Sequence, residues 1–567
     1  MTTQIDKAFP RKYLAPSFDP TDVSSVTAAY AELEARRLDA GPALEKWILD
    51  WEELGSAISD KYSRAHVAST VDTTNEAAEK SYMQLVEEIL PLTETFGFKL
   101  NKKLIDSPLT AKLDPFYACY LKATRTDIEL FREKNVQLKV QERKLVTEFE
   151  KIMGGFTPVF RGQEMTMQQL ARHLEDPDRA TRQEAFEARA GIRRKHAKEL
   201  DALYDRMLDV RRTIASNAGF KSFRDYQFAN YHRFDYTPED CFKFHEAIAE
   251  HIVPLVSNFH DQRMKKLGVS SLRPWDLQVD PEAKTPVQPF KIAAELVEGC
   301  RKIFTQVDLE LGQYFEHMIG KGLLDLDSRK GKAPGGYCTQ FSETRVPFIF
   351  MNAAGTKRDV DTLLHEGGHS FHYFLAREIR LPSYHSTGLE FAEVASMAME
   401  LLSRPYFKEF YSGDTLARVL DDQLKKILEF FPFMAMIDAF QHWVYTEKGD
   451  VGSKARALKW RELELRFQPK LDWSGVEDVR NLGWQYPHVF SVPFYYVEYG
   501  IAQLGALSVW KQSLENHAKA VERYKSGLKL GGSKPLPELF AAVGARFGLS
   551  SEIIKPLAIT VEENLRK

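Results

Sequence analysis

Apolar residues recur every three to four positions through most of the first 330 residues. Runs such as AYAELEARRLDAGPALEKWILDWEELGSAI and SYMQLVEEILPLTETFGFKLNKKLI therefore predict amphipathic helices. Breaks are expected in VQLKVQERKLVTEFEKIMGGFTP, at LEDPDRATRQEAF around Asp176-Pro177, and in the irregular stretch near 268–290, read as a loop or small β insertion. Between about 323 and 357 the texture changes, with Gly and Pro set around β-favouring runs, Val346 to Met351 above all, and a small sheet is predicted near 335–352. Helical patterning resumes at Lys357 and runs on to the C-terminus. The expected fold is mainly α with a small β insert, dividing softly into a helical N-terminal domain, residues 1–200, and a domain of residues 201–567 that carries the chemistry. No repeat of fixed period is present, which argues against a solenoid.

Charge and composition remove several function classes. Lys plus Arg number 77 and Asp plus Glu 80, with no long single-sign run, so nucleic acid is not an expected partner. A chain of 567 residues that is 44% hydrophobic is too apolar for intrinsic disorder. No window approaches the roughly 18 to 20 apolar residues that span a bilayer, and MTTQIDKAFPRKYLAPSFDP lacks the basic start of an export signal. No membrane partner is expected. Cys119, Cys241, Cys300 and Cys338 form no C-x-x-C pair, so neither a disulfide framework nor a thiolate zinc site is expected, and a reducing cytoplasm is the natural compartment.

One motif carries chemistry. His365-Glu366-Gly367-Gly368-His369 is an H-E-x-x-H in a segment whose apolar positions Val360, Leu363, Leu364 and Phe371 predict a helix, started by a capping box of Thr356 and Asp359. Histidines four apart fall about 40° from each other around a helix, so both imidazoles can meet one ion. Glu366 points aside from them and is placed to reach a water as a general base. The bland alternative is a solvated helix. Two adjacent glycines count against it, because each costs about 1 kcal/mol relative to Ala in a helix. Their missing side chains predict close approach by a strand, a second helix or a substrate backbone.

A catalytic zinc needs a third protein ligand and an open fourth position. Thr387 and Glu390 have capping-box spacing, so Glu390 is expected as a first-turn cap. Glu393 lies among Phe391, Ala392, Val394 and Ala395, where an unpaired carboxylate is costly to bury, and is the expected ligand. Glu400, seven residues on, shares its face and either hydrogen-bonds a ligand histidine or makes an ordinary helix salt bridge. A fourth protein ligand would close the site, so His372 is read as structural; His385 either lines the cleft or is a surface-loop residue. Val346 to Met351 either takes an extended peptide at its edge, which makes Phe348 a substrate contact, or is a core strand without a free edge.

H-E-x-G-H-x-x-H at 365–372 followed by A-E-V-A-S at 392–396 resembles the oligoendopeptidase F branch of the thimet oligopeptidase family of zinc metallopeptidases. Gly336-Tyr337, Pro347 to Asn352, Gly355-Thr356 and Asp359-Val360 resemble that family's strand and turn before the zinc helix. Pro487-His488 and Phe494 to Tyr499 resemble its His and Tyr segment, and weaker similarity runs through 176–186 and 211–228. The resemblance implies one zinc per chain on His365, His369 and Glu393, with Glu366 as base and two helical halves around a deep channel that admits oligopeptides. It also implies that His488, Tyr495 and Tyr499 hydrogen-bond the substrate and its developing oxyanion. One extra residue separates His488 from the tyrosines, which leaves open which of Tyr495, Tyr496 and Tyr499 does so. Tyr496 and Gly336 join the substrate-contact candidates. Gly367 stands where a larger apolar residue is common. The implied reaction is endopeptidase cleavage by a Glu-activated zinc-bound water. Alternatives are a carboxypeptidase or dipeptidyl carboxypeptidase, or an inactive peptide-binding protein. A His, His, Glu set also suits manganese or cobalt, and a homo-oligomer is allowed but not indicated.

Overall fold

The computed structural model describes residues 4–282, 287–333 and 335–565. Helix makes up 70% of it and strand 4%, so the fold is mainly α with small sheets. No helix among the described residues is long and apolar enough to cross a membrane.

The chain forms two compact units, each assembled from three separate segments. The first comprises Met1–Glu129, Val287–Ala417 and Ala502–Phe547. Its amphipathic 31-residue helix Gly41–Val71 buries Trp47, Ile48 and Leu54 against Leu85, Ile89, Leu100 and Leu104, and Leu381 and Tyr384 join the same core. The second unit comprises Leu130–Pro286, Arg418–Ile501 and Gly548–Lys567. It contains the 39-residue helix Arg179–Asn217, capped by the Asp178 carboxylate accepting from the Thr181 amide at 3.0 Å. Residue 200, expected as a division, lies inside that helix. The stretch read as turn-rich at 136–158 is helical from Glu133 to Gly154, and the chain breaks only at Gly154-Gly155. Charged residues there alternate around the helix instead of clustering in turns. Gly268, at φ +65°, ends a helix as the 268–290 stretch begins. Residues 283–286 of that stretch lie outside the described residues.

The predicted sheet is present in the first unit and has three strands, ordered Leu324–Asp327, Val346–Ala353, Tyr337–Phe341. The middle strand runs parallel to the first, with Leu324 opposite Ile349, and antiparallel to the third, with Tyr337 opposite Phe350 and Phe341 opposite Val346. Its nearly continuous apolar run, buried from Pro347 to Met351, is what a strand covered on both faces requires. Gly355, at φ +85°, turns the chain from this strand into the helix that carries the motif.

Candidate active site

The motif helix spans Lys357–Ala376. It opens on the expected capping box. Thr356 Oγ1 accepts from the Asp359 amide at 3.3 Å, and the Asp359 carboxylate accepts from the Thr356 amide at 2.8 Å. Val360, Leu363, Leu364 and Phe371 are fully buried, and this anchors the face that turns His365 and His369 the other way. The two imidazoles lie 5.0 Å apart between centroids. Opposite them runs a second helix, Leu389–Leu402, from which Glu393 Oε2 reaches to 3.2 Å of His365 Nε2 and 3.6 Å of His369 Nε2. All three donor atoms lie within 4.8 Å of one another, a set that fits one cation.

Two further contacts orient these groups. Glu400 Oε1 lies 2.7 Å from His365 Nδ1, and this contact fixes the ring so that Nε2 faces Glu393. Ser396 Oγ donates to Glu393 Oε2 at 2.8 Å. Burial alone would raise Glu393, but the hydrogen bond from His365 and the two imidazoles bring it down to about 2. Burial drives Glu366 the opposite way, up to about 7, only partly offset by His365. Neighbouring carboxyls are thus set apart in proton affinity.

The glycines explain how closely the elements meet. A Cβ on Gly368 would stand 2.5 Å from the Ala395 carbonyl oxygen and 2.6 Å from Ser396 Cα, so here the second helix touches backbone to backbone. A Cβ on Gly367 would meet the Phe304 ring at 2.4 Å.

In the second unit, His488 sits in the short helix Pro487–Phe490, and a helix begins at Tyr496. Centroid distances from His488 are 4.6 Å to Tyr496, 5.4 Å to Tyr486, and 6.1 Å to both Tyr495 and Tyr499. The expected His and Tyr residues thus form one aromatic cluster. Tyr496 is its buried member, packed on Phe430 and Phe433, whereas Tyr495 and Tyr499 are half-buried. Burial pulls His488 down to about 4, so the ring is neutral near pH 7.

Family comparison decides the lineage. The chain matches the model of peptidase family M3 over residues 172–559 and that of the peptidase M3 N-terminal domain over residues 17–131. The chain belongs to peptidase family M3. Within this family it falls in the oligoendopeptidase F branch. An oligoendopeptidase F homolog of Borreliella burgdorferi is 26% identical, the match covering 82% of this chain and 81% of that protein. Oligopeptidase PepF of Bacillus subtilis is 23% identical over 83% of this chain and 73% of its own length. A solved structure of Pz peptidase A with an inhibitor superposes with a TM-score of 0.89 at 28% identity, covering 98% of this chain and 99% of that one.

Against this M3 framework, several expectations change. Phe348 lies on the central strand, whose two edges are both paired, and it is buried against Phe341, so it offers no edge to a peptide. The two outer strands, Leu324–Asp327 and Tyr337–Phe341, are each paired on a single side, and the exposed Gly336 leads into the second of them. Glu390 lies in the first turn as expected but forms no capping box with Thr387: the helix starts one residue later than that spacing requires, with Gly388 at its N-cap, and Glu390 is buried. His385 is a core residue, donating from Nε2 to the Ile379 carbonyl at 2.8 Å. His372 is buried against Phe391 and pulled down to about 3, a neutral packing residue of the M3 motif helix.

Sequence reasoning missed the groups that hold the His488 segment. Buried Arg211 donates to the carbonyls of Val489 and Phe490, to Tyr445 Oη at 2.9 Å and to Glu142 at 2.7 Å. Arg233 donates to the Phe494 carbonyl and pairs with Glu498 at 2.6 Å, while the Phe494 amide donates to Gln441 Oε1 at 2.6 Å. Phe494 sits at φ +67°, a left-handed conformation unusual for a bulky residue, immediately before Tyr495. The available signal was polar residues inside apolar runs, such as Gln441 and Glu498. A second group able to hold a cation, buried Cys241, Asp438 and His442, also went unread; there His245 Nε2 already bonds Asp438 at 2.8 Å.

Proposed function

We propose that this M3 peptidase is a zinc-dependent endopeptidase that cleaves internal bonds of short, unstructured peptides. The convergence of His365 Nε2, His369 Nε2 and a Glu393 carboxylate oxygen beside Glu366 carries the reading. The names of its relatives, oligoendopeptidase F and oligopeptidase, support the substrate class. Four cysteines, none of them in a disulfide, support a reducing cytoplasm as the compartment.

His365, His369 and Glu393 would hold the zinc, and Glu400 would fix the His365 ring through Nδ1. When bound, zinc supplies Lewis acidity, polarising a carbonyl and making water a better nucleophile at neutral pH. Glu366 takes the proton from the attacking water and delivers it to the leaving amine. His488, Tyr495 and Tyr499 are assigned hydrogen bonds to the substrate and to the oxygen on which negative charge develops; a neutral imidazole N–H and phenol hydroxyls suit that task.

An internally quenched peptide of roughly ten residues tests this with wild type and Glu366→Gln, metal content being measured on both. Internal cleavage by wild type, with a variant that keeps its zinc and loses about 100-fold or more in turnover, is the expected result. If both are zinc-loaded and inert, the endopeptidase reading is wrong and a peptide-binding role takes its place. Cleavage confined to the C-terminus and abolished by amidation points instead to a carboxypeptidase.

A further inference from the structure

Two arginines in the second unit have no part in the chemistry above. Arg189 and Arg193 are four residues apart on the helix Arg179–Asn217 and therefore share a face one turn apart. Both are half-buried. Arg193 Nη2 donates to the carbonyls of Leu482 at 2.8 Å and Gln485 at 3.3 Å, just before Tyr486. Tyr486 in turn stacks on His488 at 5.4 Å with 19° between the rings. The arginine pair thus stands at the foot of the segment that carries the His and Tyr cluster.

Neither guanidinium has a carboxylate partner among the described residues. The acids flanking them, Glu187 on the same helix and Asp478, are both bound by Arg194. No hydrogen bond or ion pair from Arg189 exists among the described residues, and its electrostatic neighbours are Tyr486 and Arg193 itself. Burial, and then repulsion from Arg189, pull Arg193 down to about 10. Yet no nitrogen of either side chain is both sealed from solvent and unpartnered. Enclosing two like charges without a counter-ion is unfavourable unless an anion arrives from elsewhere. A guanidinium has five N–H donors in a planar fork matched to a carboxylate, and Arg193 commits only Nη2 to the carbonyls.

We propose that Arg189 and Arg193 form a subsite for a carboxylate of the peptide substrate, either its C-terminal group or an acidic side chain, with Tyr486 as the adjoining wall. This deepens the endopeptidase reading and rests on it only in taking peptides as the ligands. Four versions of one cleavable peptide test it: free acid against C-terminal amide, and Glu against Gln at a single side chain. Wild type should favour at least one carboxylate version about tenfold in kcat/KM, chiefly through KM, as one charge-assisted hydrogen bond gives. The arm that discriminates identifies the source of the carboxylate. Arg189→Gln should bring that ratio near one and leave the neutral peptides within about twofold, and Arg189→Lys should restore part of it. Wild-type ratios near one in both arms, or discrimination that survives Arg189→Gln, would overturn the subsite. Binding of the same labelled peptides to the Glu366→Gln protein, followed by fluorescence anisotropy, separates the two ideas. Selective binding without cleavage by wild type keeps the subsite and sinks the endopeptidase reading, whereas cleavage without selectivity does the reverse.

Discussion

Gly368→Ala tests the closeness of the two helices that carry the metal-binding side chains. The added methyl would meet the Ala395 carbonyl oxygen at 2.5 Å, Ser396 Cα at 2.6 Å and the Ala395 carbonyl carbon at 2.9 Å, all backbone. None of these atoms can swing aside, and Ala395 is tied further by the Tyr524 hydroxyl donating to its carbonyl at 2.7 Å. Restoring ordinary contact requires the helices to part by about 0.8 Å in an interior packed as tightly as a crystal. Overpacking of this kind costs about 1–3 kcal/mol, and two backbone clashes put it near the top of that range. Better helix propensity returns about 1 kcal/mol, so a net loss of about 2 kcal/mol is expected. The same movement widens the 3.2 and 3.6 Å gaps between the imidazoles and Glu393. Zinc sites tolerate only a few tenths of an ångström in donor distance, so affinity should fall about tenfold or more. Thermal unfolding in chelator isolates the packing cost, and competition with a metal indicator measures the affinity. Gly367→Ala is the comparison, because the atoms nearest its methyl belong to the Phe304 ring and not to the backbone of the second helix. If Gly368→Ala unfolds at the wild-type temperature or above and binds zinc equally well, the claim that this glycine sets the spacing is wrong.

Other outcomes follow from individual contacts. Glu400→Gln weakens the acceptor that holds His365 Nδ1–H, and zinc affinity should drop about 10- to 100-fold with little change in folding; an unchanged dissociation constant would refute the orienting role. Arg233→Ala takes the guanidinium away from the buried Glu498 carboxylate and should cost about 3–5 kcal/mol in denaturant unfolding, whereas Arg233→Met with Glu498→Leu recovers most of it; equal losses in both would show that the ion pair is not the cause. Burial holds His260 and His385 neutral, each down to about 4 from 6.5. The unfolded chain therefore takes up protons between pH 6.5 and 4 that the folded chain refuses. Stability is complete above pH 6.5 and falls by as much as about 3 kcal/mol per histidine as pH drops to 4, so a melting temperature flat from pH 7 to 4.5 would contradict it.

The features of the molecule that were legible beforehand are those governed by spacing over one or two turns. The Thr356 and Asp359 cap, the His365 and His369 pair and the 335–352 sheet all follow from periods that the backbone imposes. Glu393 was legible for a different reason, since a carboxylate among apolar neighbours must find a cation or a metal. Where the reading failed, a local signal competed with a long-range one. Thr387 and Glu390 have the letters of a cap, yet packing starts the helix one residue later. Val346 to Met351 reads as a strand, but sequence cannot say that both of its edges are taken. The interleaving of three segments in each unit has no local signature.

The His488 segment marks where spacing rules stop and a second kind of inference becomes available. Its shape depends on Arg211, 278 residues from Val489, and on Arg233, 261 residues from Phe494, distances no periodicity argument spans. Both arginines nevertheless announce a need, because a guanidinium in a buried helical or turn position must be given acceptors. Arg211 and Arg233 meet that need with the carbonyls of the segment itself, and Glu498 adds the counter-charge. One arrangement thereby gives both buried cations acceptors and holds Phe494 in the left-handed conformation that delivers Tyr495 beside Tyr499. Arg189 and Arg193 announce the same need, and among the described residues the pair finds only the two carbonyls that Arg193 reaches. That contrast separates an arginine that builds the segment from one left to meet a ligand.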